Sequence, residues 1–234
     1  METVKIGEKE VEIPNSWLEV TFDEFIRFTK LVNSQKTEEE LMKEYIDDED
    51  EIMALKLSID NINFNTKVAS FWSGLSEEEI SLCSLEEVEA IIKAIDFLNE
   101  QYTPIALDKF KFEGETYILP KAGMREENFG TYIEAEQVEL NNKRIESGNL
   151  DFLPRQIAIL CKKEGEKAGL IKEEVIQVRE KLFRQLDMAT VWDVAFFLHS
   201  QEKTLMKLFL TSPQMVETLK QLSQQKTQSQ ATDG

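Results

Sequence analysis

Apolar and polar residues alternate with a period of two in two short stretches of the chain and follow a helical period nearly everywhere else. In the first stretch, Glu2 to Ile13, residues Val4, Ile6, Val11 and Ile13 share one side of a ribbon that turns around Gly7-Glu8-Lys9. Pro14-Asn15-Ser16 ends it, since proline cannot donate to a ladder. Thr21-x-x-Glu24 then reads as a capping box opening a helix with Phe22, Phe25, Ile26 and Thr29 on one face. Trp17 and Val20, just ahead of the cap, are placed to staple against Phe25 or Ile26. The same capping signature recurs at Thr37-x-x-Glu40, Ser76-x-x-Glu79 and Ser84-x-x-Glu87. Between them Ile52, Leu55 and Ile59 recur at helical spacing, and the passage Val68 to Leu75 predicts a helix stop at Gly74. The helix from Ser84 carries Val88, Ile91, Ile92, Ile95 and Leu98 until Tyr102-Thr103-Pro104 breaks it.

The second period-two stretch, Lys109 to Leu119, predicts a second ribbon. Asn128 is positioned to cap a long helix through Tyr132, Ala135, Val138, Leu140 and Ile145, with Gly148 as its stop. Leu150 to Pro154 reads as a turn, Ile157 to Cys161 as a buried helix, and Lys162 to Gly169 as a charged loop. A helix with Val175, Val178, Leu182 and Phe183 follows, then one from Thr190 to Phe209 bearing Trp192, Phe196, Phe197 and Leu205. Ser212-Pro213 opens a last helix, and from Ser223 the polar residues show no apolar period, which predicts a disordered tail.

The two ribbons are near copies. Lys5-Ile6-Gly7-Glu8 to Val11-Glu12-Ile13-Pro14 matches Lys111-Phe112-Glu113-Gly114 to Tyr117-Ile118-Leu119-Pro120, and each copy leads to a helix opening on Phe-x-x-aromatic-Ile. The expected fold is therefore mainly α (α+β): helical bundles with two small β-hairpins from an internal repeat. Expected units are 1–101 and 102–222, each a hairpin with helices, and a tail 223–234. An isolated hairpin is marginal in water, so each ribbon needs helices against its apolar face.

Composition narrows the function classes. The 234 residues are 41% hydrophobic and 31% charged, with a formal net charge of −18. That sign disfavours nucleic acid and anionic membrane surfaces; it would attract a basic protein partner, or serve only to keep the chain soluble. The start Met1-Glu2-Thr3-Val4-Lys5 lacks a signal-peptide pattern, and runs such as Val194 to Leu198 are too short to span a bilayer. Cys83 and Cys161 form no motif and read as reduced thiols among apolar neighbours. His199 is the only histidine, so neither a histidine-based triad nor a multi-histidine metal site can form within one chain. The acids Asp47 to Glu51 are consecutive and lack the glycine of a calcium loop; they read as a solvated helix start. No phosphate-binding glycine loop occurs. The sequence thus predicts no catalytic, cofactor or metal residues, and no enzyme.

Three passages resemble a known family. Trp17-Leu18-Glu19-Val20-Thr21-Phe22-Asp23-Glu24-Phe25 is similar to the "W-x-E-V-T-x-x-x-F" opening of small proteins encoded near the tail genes of tailed bacteriophages. Val68-Ala69-Ser70-Phe71-Trp72-Ser73-Gly74-Leu75-Ser76 is similar to their helix end. Ile157 to Glu166, with the later Val194-Ala195-Phe196-Phe197-Leu198, resembles their apolar helix, charged loop and Phe-Phe helix. In order, these passages resemble the tail assembly chaperone-like proteins over most of the chain to about Leu210. The resemblance implies a non-enzymatic protein of the host cytoplasm that binds and solubilises the tape measure protein while the tail is built. A structural virion component (head-tail connector, baseplate or tail protein) is the alternative, with the virion as its location. The chain's size and duplicated ribbon depart from many such proteins. The expected partner is a tape measure or other tail protein, with homo-oligomerisation left open. The expected contact residues are Phe22, Phe25, Phe129, Tyr132, Trp192, Phe196 and Phe197, with core packing as the other reading of Trp192, Phe196 and Phe197.

Overall fold

The structure is a computed structural model that describes residues 1–46, 48–121, 129–145, 150–166 and 171–198, with the side chains of residues 129 and 142–145 outside that description. Asp47, the Asn128 cap, the Gly148 stop, His199, the remainder of the Trp192 helix, the helix after Pro213 and the tail all lie outside the described residues.

Strands β1 (Glu2–Ile6) and β2 (Lys9–Ile13) form the first hairpin, followed by helices α1 (Phe22–Asn33), α2 (Glu38–Glu44), α3 (Asp50–Ser73), α4 (Glu77–Ser81) and α5 (Leu85–Ala94). The hairpin is antiparallel with Val4 opposite Val11 and Ile6 opposite Lys9. Its apolar face, Val4, Ile6 and Ile13, is buried against α5 and α3. Two polar contacts pin it there. The Gly7 N–H donates to the Glu87 carboxylate at 2.6 Å, and Lys9 Nζ to Glu79 at 2.5 Å. The Gly7 amide and the Lys9 ammonium, with help from the Ser84 and Ser76 caps, hold the Glu87 and Glu79 carboxyls below the usual range. All four expected capping boxes form, at Thr21, Thr37, Ser76 and Ser84. Gly74 ends α3 in the left-handed conformation, at φ 69°. Helix α3 runs unbroken through Asn61 to Asn65.

The second half holds β3 (Lys109–Phe112), β4 (Glu115–Ile118), α6 (Phe129–Ile145), α7 (Leu153–Leu160), β5 (Lys162–Lys163), α8 (Glu173–Phe183) and a helix α9 over residues 188–198. Two expectations need correction. The segment from Lys162 is not loop throughout: Lys162 and Lys163 pair with Ile118 and Tyr117 as the third strand of the sheet. On α8 the buried face is Ile176, Arg179 and Phe183, whereas Val178 is 67% exposed. Phe183 turns that face inward because it packs edge-on to Phe110 and Tyr117 of the second hairpin. Arg179 follows it in, bound through one amino group to both oxygens of Glu166 at 2.7 and 2.8 Å.

One apolar cluster runs from Val4 to Leu198 and draws on both halves. At the junction the starts of α1 and α9 bind each other's approach segments. The Phe22 N–H donates to the Leu186 carbonyl at 2.8 Å, and the Met188 N–H to the Val20 carbonyl at 2.9 Å. Asp187 caps α9, accepting from the Thr190 N–H at 2.8 Å. Helix α9 therefore starts ahead of the Thr190 expected from the apolar period.

Candidate interaction grooves

Trp17 is the hub of the junction. Its ring lies edge-on to Phe25, Phe97, Tyr102 and Trp192, with centroids 5.4 to 6.3 Å apart. Phe25 also meets Trp192 at 5.7 Å. Tyr102 holds the linker between the halves in place: its hydroxyl donates to Asp193 of α9 at 3.1 Å, and the Ile105 N–H donates to the same oxygen at 2.7 Å. Burial, then the Asp193 carboxylate, pushes the Tyr102 hydroxyl up to about 12.

Beside this hub an open groove of about 430 Å³ runs between α1, α3 and α5. Its floor is Phe25, Phe28 and Val32 of α1, Phe64 and Val68 of α3, and Ile92, Ile95 and Leu98. Thr29, Asn33, Asn65 and Asn99 provide polar groups along it. Phe28 is fixed by tilted ring contacts with Phe71 and Trp72, at 5.7 and 5.1 Å. An apolar floor with amide donors and acceptors at its edge suits a segment with one apolar and one polar face.

A second depression, of about 200 Å³, lies between α6, α7 and α9, lined by Tyr132, Leu150, Phe152, Trp192, Ala195 and Leu198 among others. Among the described residues the indole N–H of Trp192 is buried without a hydrogen-bond partner.

The expected contact residues fall into distinct settings. Phe25 and Trp192 touch, Phe25 lines the first groove, and Tyr132 and Trp192 line the second. Phe196 is 53% exposed on α9, while its neighbour Phe197 packs partly buried against the core. Phe22 is fully buried and is a core residue, not a surface one, because the cap at Thr21 turns it under the α1–α9 junction. The Phe129 side chain is outside the described residues. Phe28, Val32 and Phe64 line the first groove and were not among the expected contact residues. Their signal was present, since Phe25, Phe28 and Val32 follow one another at three- and four-residue steps on a second stripe of α1.

Among the described residues neither metal-like nor redox geometry marks another site. Among the described residues no group of three or more His, Cys, Asp or Glu side chains gathers. Cys83 and Cys161 are thiols in separate places, half-buried and buried. Burial and the nearby Glu87 and Glu79 carboxylates push the Cys83 thiol up. No described helix is long and apolar enough to cross a membrane.

Comparison of the chain with protein-family models, with curated proteins and with solved structures gave no match.

Proposed function

We propose that this chain is a non-enzymatic binding protein of the tail assembly chaperone type, which holds an amphipathic helical segment of a tape measure protein in solution during phage tail assembly in the host cytoplasm. The observation that carries the reading is the open groove between α1, α3 and α5. It offers a partner helix an apolar floor about 430 Å³ in volume, with asparagine side chains beside it. The net charge of −18 would keep such a complex dispersed and draw in basic segments. The order of the three family-like passages supports the same reading.

The test is co-expression of the chain with a long, helical tail-gene product, measuring how much of that product stays soluble and co-purifies. Val32 lies at the groove and is 40% exposed, so Val32→Asp should leave the fold intact. It should lower co-purification at least about tenfold, as expected for losing one buried apolar contact and gaining a desolvated charge. Undiminished co-purification by a folded Val32→Asp chain would sink the groove reading. Stoichiometric recovery of the chain in mature particles would favour the structural virion reading instead.

A further inference from the structure

Helix α3 has a second apolar face, on the side away from the groove. Ile52, Leu55, Ile59 and Ile62 are 46%, 63%, 48% and 60% exposed, and none of them belongs to the apolar cluster of the core. Their spacing of three, four and three residues is that of a heptad seam, and it places them on one stripe roughly 80° wide. Phe64 and Val68, which line the groove, lie on the opposite side of the helix.

We propose that this stripe is the contact of a symmetric homodimer, in which α3 of one copy packs antiparallel along α3 of another. The spacing is the same read in either direction. A second copy turned about residue 57 sets Ile52 beside the partner's Ile62 and Leu55 beside the partner's Ile59. Such self-complementarity is what a two-fold contact requires. Charge selects the same occupant. The chain carries 45 acidic residues, yet Asp60 is the single carboxylate between Ile52 and Ser76, and it is engaged by the Tyr45 hydroxyl at 2.7 Å. A copy of a strongly acidic chain can approach only where acids are absent, whereas a basic partner would be matched by an acidic rim. Two-fold symmetry keeps each flank of the stripe beside the same flank of the other copy, which sets Glu51 near the other Asn65 and Lys56 near the other Lys56 and Asp60, so no carboxylate of one α3 meets a carboxylate of the other. A parallel pair would bring the acidic starts of both helices together, and Lys56 is already committed to Asp48 at 2.7 Å. The far end of α3 is buried against β2, α4 and α5, so the antiparallel pair also sets the two bodies at opposite ends. The seam is only two heptads long, but α3 is already folded and need not be ordered by pairing.

The inference is independent of the groove reading, because the two faces do not share residues. The test is light scattering and sedimentation of the full chain up to on the order of 100 μM, a range that captures weak dimers. The wild type should pass from one-chain to two-chain mass with concentration, and exchange of amides in 52–62 should slow in step. Leu55→Glu with Ile59→Glu should weaken the dimer about 100-fold or more while helical circular dichroism is unchanged. Leu82→Glu, at a residue 88% exposed on another element, should leave the dimer as it was. Should the double variant lose its helical signal, the concentration dependence of exchange in the wild type decides the matter. A wild type that stays monomeric overturns the proposal. A dimer untouched by the double substitution, or equally weakened by Leu82→Glu, overturns it too. A monomer with 52–62 protected at every concentration overturns it in favour of cover by the chain's own remaining residues.

Discussion

The two hairpins start from nearly the same string and end differently. In the first turn glycine comes before glutamate, and Gly7 alone takes a positive φ, 58°. That is the pattern of a type II′ turn, which wants glycine first. In the second, glutamate precedes glycine, and Glu113 and Gly114 both take positive φ, 49° and 76°. That is the type I′ pattern, which needs left-handed backbone at both central residues. The surroundings differ more. The first hairpin stays two-stranded and presses aliphatic side chains onto α5 and α3. The second accepts a third strand from Lys162 and Lys163, with Lys163 Nζ 2.6 Å from Glu115, and stacks Phe110 on Tyr117 over Phe183. Alternation and a turn dipeptide specify a ribbon; what lies on it is decided by distant segments.

The comparison can be broken most forcefully at the residues beneath each ribbon. Phe183→Ala should cost about 3–5 kcal/mol and Ile13→Ala about 2–5 kcal/mol, as fully buried side chains leaving cavities. Because both belong to one apolar cluster, each should shift the same single urea transition. Two separate transitions, each sensitive to one substitution, would show that the halves fold as independent units.

The junction between the halves should respond to alkali. Tyr102 is held neutral by burial and by Asp193, with its hydroxyl raised to about 12 from an unfolded value near 10. A raised folded value means this stability is complete below about pH 10 and is lost as pH rises through about 12. Tyr102→Phe should flatten that part of the alkaline unfolding curve; an unchanged slope would remove Tyr102 from the junction's energetics. Tyr45, raised to about 12 chiefly by its hydrogen bond to Asp60, titrates in the same window and calls for a Tyr45→Phe control.

The turns should give the smallest effects and the sharpest contrast. Glu113→Asn should stabilise by about 0.5 kcal/mol, since asparagine tolerates left-handed backbone better than glutamate does. Glu8→Asn should change little, because Glu8 does not have a positive φ. Gly7→Ala should cost about 1–2 kcal/mol through backbone strain, with no steric clash because the space beside Gly7 is open. Chemical denaturation of the three variants checks all of these, and equal gains at Glu113 and Glu8 would remove the distinction between the turns.

Much of the fold was legible residue by residue. The four capping boxes, the Gly74 stop and both ribbons follow from contacts within a few positions, which a sequence displays directly. The grooves were only half legible. Phe25, Tyr132 and Trp192 do line grooves, but Phe22 is core, and the neighbouring Phe28 and Val32 were passed over. An apolar stripe looks the same in sequence whether a groove, a core or solvent faces it.

The sequence by itself determined the helical and extended segments and their ends, because capping, glycine φ and apolar period act locally. Only the tertiary structure decided which stripe is buried. Helix α8 turns Ile176 and Phe183 inward instead of Val178, and α3 leaves Ile52, Leu55, Ile59 and Ile62 outside. It also decided that Trp17, Phe25, Tyr102 and Trp192 meet at one junction. The physical reason is that burial belongs to pairs of surfaces, and the second surface in each pair lies far away along the chain.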